Sequence, residues 1–251
     1  MHVPLFKKKT GSLAVINPSD ALTSAPRQRF LLPEGVILAY DRRIVERAVR
    51  ARGVKRFDGF HGSYYSVPTT RGSFCLTKIP SGASVSALVL EELIARGAKR
   101  FISIGWAGTL QDDFHAGDIV VCTRAIRDEG TSCHYLKAAK FITPSPSLTR
   151  QLKSSLLKAG MEFRTGSSWT TDAFYRETVD EVKRYQREGV LTVEMEASAL
   201  FAVGAYRKVD VAAAFVICDS LVTRPWKEAT SKRIPGSMRA LFEAAKGALR
   251  G

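Results

Sequence analysis

The chain has 251 residues, of which 45% are hydrophobic. This is enough to bury a core, and it excludes an intrinsically disordered protein. A formal net charge of +14 favours an anionic partner such as phosphate, although we expect most of these charges to lie on a solvated surface. No apolar run approaches the about 18 residues that a membrane-spanning helix requires.

The first 34 residues are irregular, basic and proline-containing, and they predict an N-terminal arm ahead of a single domain over residues 35–251. The opening residues lack the apolar segment of a secretory signal. No cysteine pair has C-x-x-C spacing, so free thiols in a reducing compartment are expected at Cys75, Cys122, Cys133 and Cys218. We therefore predict a cytoplasmic protein that uses no cofactor and no metal.

From residue 35 onward, strand patterns alternate with helix patterns. The first half predicts strands over residues 36–40, 74–79, 100–104 and 118–123, helices over 41–52 and 84–96, and a tight glycine loop over 105–108. The second half predicts helices over residues 144–159, 179–188, 196–208 and 237–249, and strands over 162–167, 190–193 and 211–218. Such alternation indicates βαβ units, so the expected fold is one α/β domain with a mostly parallel sheet.

Ligands of such sheets bind at the C-terminal ends of the strands. Four separate segments end there: the turn at Tyr40 and Asp41, the 105–108 loop, the Glu194–Glu196 segment and Asp219. Their convergence on one edge predicts a binding site, although no single segment does so alone.

Two carboxylates, Glu194 and Glu196, flank Met195 at the start of a long apolar segment. On extended backbone they point the same way and Met195 points the opposite way. A carboxylate accepts hydrogen bonds from two adjacent hydroxyls, which suits a ribose. The alternative is that one or both cap the following helix, where the helix dipole favours negative charge.

Asp219 ends an apolar strand, where it is placed to protonate a purine ring nitrogen as a general acid. The alternative is a turn or helix cap, with Ser220 as the cap. Phe174 and Tyr175 can stack on a base or belong to the core. His134 lacks a recognisable catalytic partner and is expected to be structural.

Glycines at two further places allow close contact with a ligand. Gly105 and Gly108 let backbone approach it closely. Residues 80–84, around Gly82, precede a predicted helix and can form an anion-binding N-terminus, although they lack the spacing of a Walker loop.

These residues resemble the nucleoside phosphorylase family of the uridine phosphorylase and hexameric purine nucleoside phosphorylase type, which also includes hydrolytic nucleosidases. VEMEASALFAV (193–203) resembles the ribose-binding signature of this family, and TTDAFYRE (170–177) resembles its base-stacking segment. Residues 87–110 and 127–136 are similar to its helix–strand–glycine stretch and to its following loop. The resemblance covers residues 35–250.

The resemblance implies a mixed, partly barrel-like sheet flanked by helices, and a homo-oligomer, either a dimer or a hexamer. It implies that Met195 and Glu196, with Glu194, hold the ribose, and that Phe174 contacts the base beside Ala107 and Gly108. Asp219 lies where the purine-cleaving members keep their acid.

The chain departs from the family pattern at the phosphate site. Ile44, Ser103 and Gly62 stand where arginines are expected, and Trp106 replaces a threonine. The residues that read uracil fall near Thr178 and Asp180, which disfavours a uracil base. The remaining phosphate-binding candidates are Asp41, Arg42, Arg43, Gly82, Arg127 and Arg176.

We therefore expect an enzyme that cleaves the N-glycosidic bond of a purine-type nucleoside with phosphate, giving free base and ribose 1-phosphate. Glu196 and Asp219 are its predicted catalytic residues. The missing arginines leave open a hydrolase that uses water, and Trp106 in the phosphate space leaves open a non-catalytic nucleoside-binding protein. No basic stripe with interleaved aromatics supports nucleic-acid binding.

Overall fold

The computed structural model describes residues 9, 12–24, 30–70, 72–222, 226 and 229–250. Several residues of the predicted N-terminal arm, including most of the opening segment, lie outside these ranges. Within the arm, residues Pro18–Ser24 form the short helix α1. The boundary between arm and domain stays a prediction.

Strands and helices alternate through the rest of the described chain. In order, the first half contains β1 (Gly35–Ala39), α2 (Arg42–Ala48), β2 (Lys55–Asp58), β3 (Ser63–Thr69), β4 (Gly72–Lys78), α3 (Ala83–Ala95), β5 (Arg100–Thr109) and β6 (Ile119–Asp128). The second half contains β7 (Phe141–Ile142), α4 (Pro146–Lys158), β8 (Arg164–Thr171), α5 (Val179–Arg187), β9 (Thr192–Glu194), α6 (Ala197–Arg207), β10 (Asp210–Ser220) and α7 (Arg233–Leu249). Two 3₁₀ helices cover Ser132–His134 and Phe174–Arg176.

The strands form one mixed sheet, part of which closes on itself. Its order is β10-β6-β8-β9-β5-β1-β4-β3-β2, with β7 beside β6 and an additional pairing between β10 and β5. That pairing closes β10, β6, β8, β9 and β5 into a barrel-like ring. The strands β1 and β4 continue from β5 in parallel, and β3 and β2 complete the sheet as an antiparallel hairpin.

Alternation along the central strands supplies apolar side chains to both faces. In β1, Val36 and Leu38 pack into one core cluster, whereas Ile37 and Ala39 pack into another. Helices α3 and α6 cover the first face through residues such as Leu90 and Leu200. Helices α4 and α7 cover the second face. Because these helices cover the two faces of the sheet, the site is expected at the ends of the strands.

Several predicted boundaries differ from the structure, and two of them bear on the site. The segment 105–108 is not a tight loop, because β5 continues through it to Thr109 and pairs with β10 along this length. The helix predicted over 41–52 ends at Ala48. The two glycines adopt extended backbone here, so they mark a strand to which other groups approach closely rather than a turn.

The β2–β3 hairpin carries little hydrophobic signal, and the sequence did not predict it. Strand β2 is largely exposed, and Pro68 argues against a strand over Ser63–Thr69. Pro68 lies opposite Ser73 of β4 and beyond the end of the β2 pairing at Ser66, so at Pro68 the side of β3 that faces β2 is an edge, where proline is tolerated.

All four cysteines are free thiols, of which Cys75 and Cys122 are buried. No helix in the described ranges has the length and apolar character needed to cross a membrane.

Candidate active site

Gly108 lies between two neighbouring strands that carry the predicted site residues. It pairs in parallel with Asp219 of β10 and in antiparallel with Val193 of β9. Since neighbouring strands lie about 4.8 Å apart, the backbones of Asp219 and Val193 are about 10 Å apart across Gly108. A Cβ atom at Gly108 would lie 3.2 Å from Asp219 Oδ1. The acid therefore lies against a strand position that has no side chain.

Glu194 ends β9 and is buried in a network of four donors. Its Oε1 accepts hydrogen bonds from the hydroxyls of Ser168 (3.1 Å) and Thr170 (2.6 Å). Its Oε2 accepts from the backbone N–H groups of Glu196 (2.8 Å) and Ala197 (2.7 Å), at the start of α6. Burial raises the pKa of Glu194, and these hydrogen bonds oppose the rise. In this arrangement Glu194 joins β8 to α6 and caps the helix.

Glu196 lies at the N-cap of α6 and is also buried. The Gly82 N–H, at the N-cap of α3, donates to Glu196 Oε1 at 2.7 Å. Gly82 has φ +123°, a conformation that glycine adopts without strain, and this backbone turn directs its N–H to the carboxyl. Burial, and then the negative charge of Glu194, raise the pKa of Glu196 to about 8.

Met195 lies between these carboxyls and is partly exposed. The extended backbone ends at Glu194, and Met195 and Glu196 form a bend before α6, so the alternating orientations expected for this segment stay a prediction. The Met195 side chain is therefore the apolar group of this segment that a ligand can contact.

Tyr40 links the end of β1 to the same region. Its hydroxyl lies 2.9 Å from Ser86 Oγ on α3, and its ring packs over Gly105, where a Cβ atom would be 3.0 Å away. Burial and then the charge of Glu196 raise the pKa of Tyr40 well above its usual range. A neutral tyrosine thus borders the Glu196 carboxyl.

Asp219 has aromatic neighbours. Trp226 Nε1 donates to Asp219 Oδ2 at 2.7 Å. The Trp226 ring meets the Phe174 ring edge to face, with centroids 5.9 Å apart. Phe174 is 38% exposed, so a flat ring can still reach it. An acid and two aromatic faces therefore lie together on the β10 side of Gly108, next to Ala107, which is buried in β5.

The turn after β1 forms a closed cluster. Asp41 is buried at the N-cap of α2, where it accepts from the Arg43 N–H at 2.8 Å. The Arg43 guanidinium also donates to Asp41, from Nε at 3.2 Å and Nη2 at 3.1 Å. It lies 5.9 Å from the centroid of the Trp106 ring. Arg43 stays 64% exposed, so donors remain available on its outer side.

The other predicted phosphate ligands lie in different surroundings. Arg42 is exposed and pairs with Glu46 on α2. Arg127 donates to Ser132 Oγ and to the carbonyls of Leu136 and Lys137, so it organises the loop after β6. Arg176 is exposed on the second 3₁₀ helix, and its guanidinium has no hydrogen bond or ion pair within the described ranges. The Gly82 N–H is already used by Glu196.

Two residues of the Asp219 cluster were not expected from the sequence. Trp226 lies in a polar segment without periodicity, and only its contact with Asp219 identifies it. Glu177 follows the predicted stacking residues, and burial together with the charge of Asp219 raises its pKa to about 7. Because Glu177 lies only three residues after the predicted stacking residue Phe174, the sequence could have indicated it as a further site candidate. Among the described residues, no group of three or more His, Cys, Asp or Glu side chains is arranged to hold a metal ion.

A family model described as the phosphorylase superfamily matches residues 37–249. The chain belongs to this superfamily. The resemblance found in the sequence is therefore confirmed, and the match covers the strands and helices that build the site.

Two curated relatives of this chain are phosphorylases of named specificity. A guanosine phosphorylase of Halorubrum lacusprofundi is 31% identical over 159 residues, covering 63% of this chain and 65% of the relative, slightly under two thirds of its length. A DeoD-type purine nucleoside phosphorylase of Caldanaerobacter subterraneus subsp. tengcongensis is 32% identical over 182 residues, covering 72% of this chain and 74% of the relative.

Solved structures share the fold. A purine nucleoside phosphorylase of Toxoplasma gondii in complex with immucillin-H superposes with a TM-score of 0.79 at 19% identity, over 87% of this chain and 90% of the other. A uridine phosphorylase of Vibrio fischeri gives a TM-score of 0.72 at 25% identity, over the same shares. The predicted α/β fold, with its partly barrel-like sheet, is thereby confirmed.

Proposed function

We propose that this protein cleaves the N-glycosidic bond of a purine-type nucleoside with inorganic phosphate, releasing the base and ribose 1-phosphate. The main support is the pairing of Gly108 with both β10 and β9. It brings an acid fit to protonate a purine to about one nucleoside width from the predicted ribose segment. Membership of the phosphorylase superfamily and the purine-cleaving relatives agree with this activity.

Each residue has a role in this proposal. Asp219 donates a proton to a purine ring nitrogen as the bond to the sugar breaks, and Phe174 stacks on the base next to Ala107 and Gly108. Glu196 orients the ribose hydroxyls, Met195 lies beneath the sugar, and Glu194 holds the segment in place. Positive charge develops at the anomeric carbon in an oxocarbenium-like transition state, and the site must hold the ribose in place while this charge forms.

Phosphate binding is assigned to Arg43, with Asp41 holding its guanidinium. Two of the guanidinium nitrogens donate to Asp41, and the outer donors face solvent beside Trp106. A guanidinium fixed on one side is pre-organised to bind a phosphate oxygen on the other. Arg42 pairs with Glu46 instead and is not part of this site.

Hydrolysis is the second candidate, and the phosphate region favours it. Ser103, where the family resemblance leads one to expect an arginine, is buried and neutral, and the Gly82 N–H is committed to Glu196. If neither Arg43 nor another cation of this region binds phosphate, water is the nucleophile and the sugar product is free ribose.

The test is base release from inosine, guanosine, adenosine and uridine, with and without phosphate. The proposal expects release from the purine nucleosides that depends strictly on phosphate. Release without phosphate would select the hydrolase. No release from any nucleoside, together with calorimetric binding of inosine, would select a non-catalytic binding protein.

Asp219→Asn should abolish most of the activity. Asp210→Asn is a matched control, because Asp210 lies at the other end of the same strand. Equal activity in the two variants would show that Asp219 is not the acid.

A further inference from the structure

Strand β10 contains one extra residue immediately before Asp219. Its parallel pairing with β5 is regular as far as Ile217, which lies opposite Ala107. The next pair is Asp219 and Gly108, so the pairing skips Cys218 and leaves it in a β-bulge. Bulges are rare in parallel pairs, and they are over-represented next to active sites, where they redirect a side chain. The bulge at Cys218 therefore bears on the orientation of the acid.

The bulge decides which face of the sheet carries the Asp219 side chain. Ile217 and Ala107 pack into the same core cluster, and in a regular strand residue 219 would face this cluster as well. Gly108 follows Ala107 on β5 and faces the opposite side. A Cβ atom at Gly108 would lie 3.2 and 3.3 Å from the two Asp219 carboxyl oxygens. The extra residue thus turns the carboxyl away from an apolar core, where its charge would be strongly disfavoured, and toward the face of Gly108.

The side chain of the bulge residue also contacts the acid. Cys218 Sγ donates to Asp219 Oδ1 at 3.2 Å, and it lies 3.8 Å from the Ala107 carbonyl. Trp226 Nε1 donates to the other oxygen, Oδ2, at 2.7 Å. Each carboxyl oxygen therefore has its own donor, and two donors on two oxygens fix the plane of the carboxyl as well as its position.

The backbone of the bulge holds the chain that follows β10. The Cys218 carbonyl accepts the Ala229 N–H at 2.9 Å, so the backbone at Ala229 returns to the bulge. Ala229 lies three residues after Trp226, the second donor to Asp219. One residue of β10 thus contacts the acid directly and anchors the chain near its other donor.

We propose that Cys218 is a positioning residue for Asp219: its bulge turns the acid toward the base, and its thiol fixes the plane of the carboxyl. This inference rests on the proposed function, and it holds for either nucleophile. A general acid must lie within hydrogen-bond reach of the atom that it protonates. A carboxyl that rotates is less often in this geometry, so the loss of the thiol slows base departure. Cys218 acts through Asp219 and has no contact with the substrate in this role.

The experiment compares two substrates of the whole protein. Inosine needs protonation of its base, whereas 7-methylinosine carries a base that already leaves as a neutral molecule. Cys218→Ala removes the thiol and keeps the extra residue. It should lower kcat for inosine by about three- to tenfold, as expected for one weak hydrogen bond, and leave the KM for inosine near the wild-type value. The kcat for 7-methylinosine should stay near the wild-type rate.

Two further variants separate the thiol from the bulge. Cys218→Ser restores a hydroxyl donor and should recover most of the loss on inosine. Deletion of Cys218 removes the bulge, turns residue 219 toward the apolar core and should abolish cleavage of inosine. Cys133→Ala is the matched control, because Cys133 is also a partly exposed free thiol and donates to the Gly130 carbonyl at 2.9 Å in the loop after β6. It should leave both rates unchanged.

Three outcomes would overturn the inference. The first is an unchanged inosine rate in Cys218→Ala. The second is an equal loss on both substrates, which would indicate a merely structural role. The third is a folded deletion variant that cleaves inosine at the wild-type rate; if this variant does not fold, Cys218→Ala decides alone. Failure of the wild type to cleave either substrate would instead remove the proposed function, and this result is read without any variant.

Discussion

The Gly82 N–H donates to Glu196 Oε1 at 2.7 Å, so one carboxyl joins the first turn of α3 to the first turn of α6. Two influences compete at this carboxyl. The Gly82 N–H favours the ionised form, whereas burial and the neighbouring Glu194 favour the protonated form and win, with a pKa of about 8. Its outcome can be measured through the pH dependence of the free energy of unfolding.

Glu196 should make the fold less stable as pH rises. The pKa of Glu196 is about 8 in the folded state and 4.5 in the unfolded state. Between these two pH values the folded state binds more protons than the unfolded state. The free energy of unfolding therefore falls as the pH rises from about 4.5 to about 8. Since one pKa unit corresponds to about 1.4 kcal/mol, Glu196→Gln should gain on the order of a few kcal/mol relative to the wild type between about pH 5 and about pH 9.

Urea unfolding at both pH values measures this gain. Glu243→Gln is the control, because Glu243 is largely exposed and pairs with Lys246 on the same helix. Parallel pH profiles for wild type and Glu196→Gln would contradict the raised pKa.

Glu194→Gln should behave differently from Glu196→Gln. One Glu194 oxygen accepts from two backbone N–H groups and the other from two hydroxyls. The N–H groups cannot accept from a glutamine NH₂, and the two hydroxyl oxygens already accept from Thr192 Oγ1 and from the Ser198 N–H. Glu194→Gln should therefore destabilise the fold by about 2–3 kcal/mol in either orientation. Denaturant midpoints at about pH 4.5 test this, because the window in which Glu196→Gln gains stability only begins there. Equal midpoints for the two variants would mean that the network around Glu194 contributes little.

Trp226→Phe should weaken catalysis more than stability. It removes the one N–H that Trp226 donates to Asp219, and a hydrogen bond to a charged group contributes about 1.5–3 kcal/mol. We expect kcat/KM for inosine to fall by at least about tenfold, with a similar melting temperature. Tyr175→Phe is the matched aromatic control, because Tyr175 is 94% exposed. If both variants keep full activity, Trp226 does not orient the acid.

Arg43→Ala should raise the KM for phosphate by about tenfold or more, since it removes a charge-assisted contact of about 1.5–3 kcal/mol. Arg42→Ala should leave this KM unchanged, because Arg42 pairs with Glu46. Steady-state kinetics at varied phosphate and saturating inosine give both values. Comparable values of KM in the two variants would assign phosphate binding to another cation, of which Arg176 is the next candidate.

The sequence predicted the parts of the fold that depend on repeated local patterns. Strands with continuous apolar residues, such as β1, and long helices, such as α3, bury large apolar surfaces. Their positions in the structure are close to those expected. The β2–β3 hairpin escaped prediction because it is an edge with exposed side chains. The extension of β5 through Gly108 escaped because glycines signal turns, and only strand pairing shows them as extended.

For the site, the sequence indicated which residue types matter but not their partners. Glu196 and Gly82 are far apart in the chain, so no local spacing predicts their hydrogen bond. The same holds for Phe174 and Trp226, which follow β8 and β10, two strands of the same ring. The Asp41–Arg43 pair is local, but whether a guanidinium turns back on its own helix cap depends on packing against Trp106.

Gly108 limits how this region can change. A methyl group there would come within 2.5 Å of Leu221 Cδ1 and 3.2 Å of Asp219 Oδ1. A side chain at 108 must push aside the end of the Leu221 side chain and shift the Asp219 carboxyl slightly, so a replacement there favours a smaller residue at 221. In a library that varies positions 108 and 221 together, the surviving pairs should be correlated in size.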